Sequence, residues 1–156
     1  MTMIKPFNLL MVWHGLFAGS YLVSYATAEF SLGMHLFAGY ALLALLFLRL
    51  AVALFVAETS PWSLPWPNAR LARTFSERLR AFDLAALRGR NPLVILSGLA
   101  LIVASLLAAL SGFLPWEDPH EALASFSLAT VGVHVAAVLL TQFIKRWTVQ
   151  AVRMPA

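Results

Sequence analysis

The sequence predicts an all-α integral membrane protein, a four-helix bundle with both termini cytoplasmic, and three observations carry that prediction. The chain is 61% hydrophobic and 12% charged over 156 residues, whereas a soluble domain is nearer half apolar and a quarter charged. Four stretches are apolar over the roughly 20 residues that a membrane helix needs. The basic residues all fall on one side of the topology that those four stretches define.

The spans run over about 6–28, 32–57, 92–114 and 121–147 within one membrane domain covering 1–156. The third is the cleanest, with no charge from Leu93 to Trp116. Near the amino end, Lys5, an apolar run and Ala26-Thr27-Ala28 imitate a signal peptide. The run is too long for a typical signal core and contains His14, so it reads as a span.

The connections differ in charge. The first and third carry Glu29, Glu117, Asp118 and Glu121 and no Lys or Arg. The middle one carries Arg70, Arg73, Arg78, Arg80, Arg88 and Arg90; Lys5 lies at one end of the chain and Lys145, Arg146 and Arg153 at the other. Arg49 falls toward the inner end of the second span. The positive-inside rule then places both termini and the middle connection in the cytoplasm, which an even number of spans requires. The net charge of +4 is therefore a topology signal and not a nucleic-acid footprint.

Within the middle connection, Pro61, Pro65 and Pro67 with Trp62 and Trp66 suit an extended interfacial segment. Leu71, Phe75, Leu79, Phe82 and Leu87 then recur among arginines at near-helical spacing. That predicts a basic amphipathic helix over about 69–88, lying on the lipid of the cytoplasmic leaflet.

There is no cysteine. Disulfides, thiolate metal sites, iron–sulfur clusters and haem attached through C-x-x-C-H are excluded. No nucleophile–base constellation or phosphate-binding glycine loop is present. Serines and threonines in the spans read as back-bonding or packing residues.

The four histidines, His14, His35, His120 and His134, all lie within or at the ends of spans. One alone would read as a helix–helix hydrogen bond, but intramembrane ionisable groups are costly and usually functional. His120 and His134 are fourteen residues apart on the fourth span. That separation is about 21 Å along the axis, with a net rotation about 40° short of whole turns, so both face one neighbour at two depths. Alternating span directions place His35 and His120 near the outer surface and His14 and His134 in the inner half. Two stacked bis-histidine sites are what two haems need, and helix bundles host cofactors in this way. Gly15, Gly19, Gly39 and Gly132 lie near these histidines, giving room either for a flat macrocycle or for close helix packing. A zinc site wants three or four ligands at one depth, whereas these fall two by two. Histidine on both faces of haem iron favours electron transfer over oxygen binding. A histidine-relay transporter would want acids inside the spans, and none lies mid-span; a haem-free membrane anchor of a larger redox enzyme would leave the paired depths unexplained.

The motifs around these histidines resemble the bacterial cytochrome b-561 family, which includes the cytochrome b subunits of membrane-bound nickel–iron hydrogenases. The resemblance runs nearly end to end. It rests on Val12-Trp13-His14, on His35-Leu36-Phe37-Ala38-Gly39-Tyr40 with Arg49-Leu50, and on Leu87-Arg88-Gly89-Arg90-Asn91-Pro92. Ser111-Gly112 stands where the family has T-G. Most specific is His120-Glu121-Ala122-Leu123-Ala124 followed by Val131-Gly132-Val133-His134. The stretch after Asn91-Pro92 lacks the family's glycines, and Gln142, Lys145 and Arg146 stand where many members carry further histidine.

The resemblance implies two non-covalent b haems, with His14, His35, His120 and His134 as the iron ligands. It implies quinone as the inner-membrane electron partner and a periplasmic redox protein, such as a c-type cytochrome or a dehydrogenase, on the other side. The expected role is an electron carrier or a quinone-linked oxidoreductase subunit of the bacterial inner membrane. The acidic outer connections would complement a basic surface on the periplasmic partner. An oligomer is compatible with all of this.

Overall fold

The structure is a computed structural model that describes residues 5–64, 69–81, 91–115 and 117–153, with the side chains of 69, 71, 72, 79 and 147–153 outside the description. All regular elements among the described residues are helical: α1 (Pro6–Thr27), α2 (Leu32–Phe55), α3 (Ala69–Arg80), α4 (Pro92–Ser111) and α5 (Glu117–Arg153). Four of them, α1, α2, α4 and α5, are long and apolar enough to cross a membrane. The predicted all-α class and the four helices of spanning length are those observed.

The chain divides into two compact units that are interleaved in sequence. The first comprises Met1–Leu64 and Ser105–Ala124, the second Pro65–Ala104 and Ser125–Ala156. Helices α4 and α5 contribute residues to both.

In the first unit α1 and α2 pack as an antiparallel hairpin. Pro6 at the start of α1 has no N–H to leave unsatisfied. At its other end the Thr27 hydroxyl donates to the Val23 carbonyl at 2.7 Å. Trp13, Phe17 and Tyr21 are buried at intervals of one turn, and so are Ala38, Leu42, Leu46 and Arg49 on α2. These are the facing ridges of the pair. Outside these ridges α2 carries exposed Phe37, Leu54 and Phe55, an apolar surface suited to lipid. Since lipid is as apolar as leucine, hydrogen bonds and close packing hold the hairpin together. One such bond runs from Trp13 Nε1 to the Leu45 carbonyl at 2.9 Å.

Arg49 is buried, 5% exposed. Its guanidinium donates to the Trp62 carbonyl and, at 3.0 Å, to the Ser63 carbonyl. It also stands 5.9 Å from the Trp13 ring centroid and 5.6 Å from that of Trp62, within cation–π range. Trp62 Nε1 in turn donates to the Pro6 carbonyl at 3.0 Å. The segment after α2 is thus tied back across the start of α1.

In the second unit, α3 begins where the amphipathic helix is expected. Among its described side chains Arg73 donates to Glu77 at 3.0 Å, an exposed pair worth only a few tenths of a kcal/mol. The expected continuation through Phe82 and Leu87, with Arg88 and Arg90, lies outside the described residues, as does Trp66. Asn91 explains the start of α4: its Oδ1 accepts from Leu93 N–H at 2.9 Å, capping a helix whose first residue is Pro92. The Asn91 amide also donates to Thr141 Oγ1 on α5 at 3.0 Å.

Among the spanning helices, three ends differ from expectation by three residues or more, the far end of α5 among them, at Arg153 rather than 147. Helix α4 stops at Ser111, before Gly112 and Pro115, and α5 begins at Glu117 rather than 121. Glu117 and Asp118 form the first turn of α5, where carboxylates meet the positive end of the helix dipole and proline is tolerated. Periodicity of apolar residues cannot see a polar first turn.

Candidate functional site

His35 sits on the first turn of α2, directly across from Ser24 of α1. Its Nδ1 lies 2.8 Å from the Ser24 carbonyl. A carbonyl only accepts, so Nδ1 carries the proton and Nε2 is left with the lone pair. The Ser24 hydroxyl donates to the His35 carbonyl at 3.4 Å, closing a two-way clasp. Gly39, one turn on, packs beside the clasp, where a Cβ would make an ordinary 3.6 Å contact with Ser24 Oγ.

His120 sits on the first turn of α5 and is held in the same way. Its Nδ1 lies 3.0 Å from the Ala108 carbonyl and 3.1 Å from Ser111 Oγ. The Ser111 hydroxyl donates its own proton to Ala108 at 2.8 Å. Its lone pair therefore faces the imidazole N–H. Both rings, half-buried in the first unit, face each other with centroids 5.9 Å apart and planes at 82°.

His14 belongs to the first unit as well. It is exposed on α1, one residue from buried Trp13, with the two ring centroids 6.4 Å apart. A Cβ added at Gly15 or Gly19 would meet nothing within 4 Å.

His134 belongs to the second unit, half-buried on α5. Its Nδ1 lies 3.1 Å from Ser97 Oγ on α4. Ser97 donates to the Val94 carbonyl at 3.2 Å, so again a lone pair is turned to the ring. Gly132 also has nothing within 4 Å of an added Cβ.

The structure thus brings His35 and His120 together and ties three of the four predicted histidines through Nδ1. It also adds Ser24, Ser97 and Ser111, which the sequence offered only as back-bonding residues. Ser97 and Ser111 do back-bond, and their remaining lone pairs take the imidazole protons. Arg49, counted among the basic residues of the inner side, is engaged by the backbone carbonyls of Trp62 and Ser63.

A second-row nitrogen tied in this way is the usual companion of a histidine that ligates metal through the other nitrogen. Among the described residues no three His, Asp or Glu side chains converge on one point. The donors suit a site closed by two imidazoles, one from each side.

No curated protein and no solved structure matches the chain. The model of the prokaryotic cytochrome b561 family matches it over residues 8–154, nearly its whole length. A multi-pass, all-helical chain with histidines presented in this way belongs to the prokaryotic cytochrome b561 family, whose members are membrane b-type cytochromes of electron transfer.

Proposed function

We propose that the protein carries electrons between the quinone pool and a periplasmic redox partner and binds two b haems, an outer one through His35 and His120 and an inner one through His14 and His134. The observation that carries this reading is the 5.9 Å between the His35 and His120 ring centroids. A haem held by these imidazoles would supply a one-electron iron couple.

The chain's own contribution is to hold neutral imidazoles with Nε2 unprotonated. Carbonyls of Ser24 and Ala108 do this for the outer pair. Ser97 does it for His134. A Cβ added at Gly15 or Gly19, near His14, or at Gly132, near His134, would meet nothing within 4 Å. Apolar helix faces exclude water. Glu29, Glu117 and Asp118 give the outer end a negative field that speeds encounter with a basic partner. The positive-inside distribution supports cytoplasmic termini in the bacterial inner membrane.

The test is haem stoichiometry on detergent-purified protein, by pyridine haemochrome against protein mass. Two b haems per chain are expected. A folded, haem-supplied preparation without haem would overturn the reading.

A further inference from the structure

We propose that two Ser-Gly dipeptides, Ser97-Gly98 within α4 and Ser111-Gly112 at its end, are seats that position the imidazoles of His134 and His120. The inference rests on the two-haem reading above and adds residues to it.

Each seat has two parts. The serine hydroxyl donates to its own helix, to Val94 at 3.2 Å or Ala108 at 2.8 Å. That fixes the rotamer and points a lone pair at Nδ1, 3.1 Å away in both cases. The adjacent glycine receives the Cε1 edge of the same ring. A Cβ at Gly98 would lie 3.5 Å from His134 Cε1, and one at Gly112 would lie 3.4 Å from His120 Cε1. A methyl group just fits, and a branched side chain displaces the ring. The same pair of contacts, serine to Nδ1 and glycine to Cε1, recurs in each unit separately.

The spacing supports the assignment. The two Ser-Gly dipeptides are fourteen residues apart, as are the two histidines. In the second unit Asn91 meets Thr141 and Ser97 meets His134, so α4 and α5 run antiparallel there. The α4 repeat is therefore in register with the α5 histidines.

The consequence is electronic as well as geometric. An acceptor on Nδ1–H makes the imidazole a more basic ligand, which favours the ferric state. Removing the acceptor raises the reduction potential of the iron that the ring ligates.

The experiment is potentiometric titration with electron paramagnetic resonance of the haem-loaded protein carrying Ser97→Ala, Ser111→Ala, Ser97→Thr or Gly98→Val. Ser97→Ala is expected to keep both haems and to raise the potential and move the ferric low-spin signal of one. Ser111→Ala moves the other, by less, because the Ala108 carbonyl remains. Ser97→Thr restores the parent values, and Gly98→Val depletes the haem that Ser97→Ala shifts. Should Ser97→Ala not accumulate, Ser97→Cys keeps the size, weakens the acceptor and shifts the same potential upward. Unmoved potentials and signals in a two-haem protein, or both serine variants acting on one haem, overturn the seats. A parent protein without haem is a failure of the functional reading instead. Nitrogen NMR of the haem-free chain then decides the seats alone: the Nδ1–H share of the His134 ring is expected to fall in Ser97→Ala, and an unchanged share overturns the proposal.

Discussion

His35 and His120 come from helices far apart in sequence, yet their rings stand 5.9 Å apart, each with Nδ1 turned away toward a peptide carbonyl. The two carbonyls, of Ser24 and Ala108, belong to different helices again. Four segments thus converge on one pair of imidazoles.

His35→Ala and His120→Ala are expected to give the same spectrum and redox titration, each missing one haem. His14→Ala and His134→Ala are expected to match each other and to spare the haem lost by the first two. Absorption spectra and potentials of the four variants check this. Two intact low-spin haems after any one change would refute that ligand.

Asn91→Ala removes the cap of α4 and the buried partner of Thr141. Loss of a cap costs about 1 kcal/mol; the Thr141 hydroxyl still donates to the Ala137 carbonyl, so losing the bond it accepts adds about 0.5–1.5 kcal/mol. Thermal unfolding in detergent is expected to show the drop, with haem content of the surviving fold retained.

Arg49→Leu leaves the Trp62 and Ser63 carbonyls without their donor. The expected result is destabilisation by about 2–4 kcal/mol, together with new protease cleavage at 58–64. Arg49→Lys cannot reach two carbonyls with a planar fork and is expected to rescue only in part. Cleavage no faster than in the parent would contradict the tie.

The absence of native cysteine makes sidedness directly measurable. Single cysteines at Glu29 and Asp118 are expected to react with an impermeant thiol reagent from the periplasm. One at Arg73 is expected to react only after the membrane is opened. The reverse pattern would invert the topology.

Much of this was legible in the sequence because lipid imposes length. The starts of α1, α2 and α4 follow from apolar runs beginning at Pro6, Leu32 and Pro92. The start of α5 was missed because Glu117 and Asp118 are stabilised by the helix dipole, which leaves no apolar trace. The histidines stood out because ionisable groups inside spans are rare. Ser24, Ser97 and Ser111 did not, because a span serine already has a partner in its own helix. Only the fold shows where its second lone pair points. The recurrence of Ser-Gly at the spacing of His120 and His134 was the one available signal.

The clasp between Ser24 and His35 lies wholly within the first two helices, whereas His120 arrives two helices later. On the two-haem reading, the first two helices carry one imidazole already oriented within their own hairpin, and its proposed counterpart comes only with the last helix. A chain cut before α5 would then present half of the proposed pair.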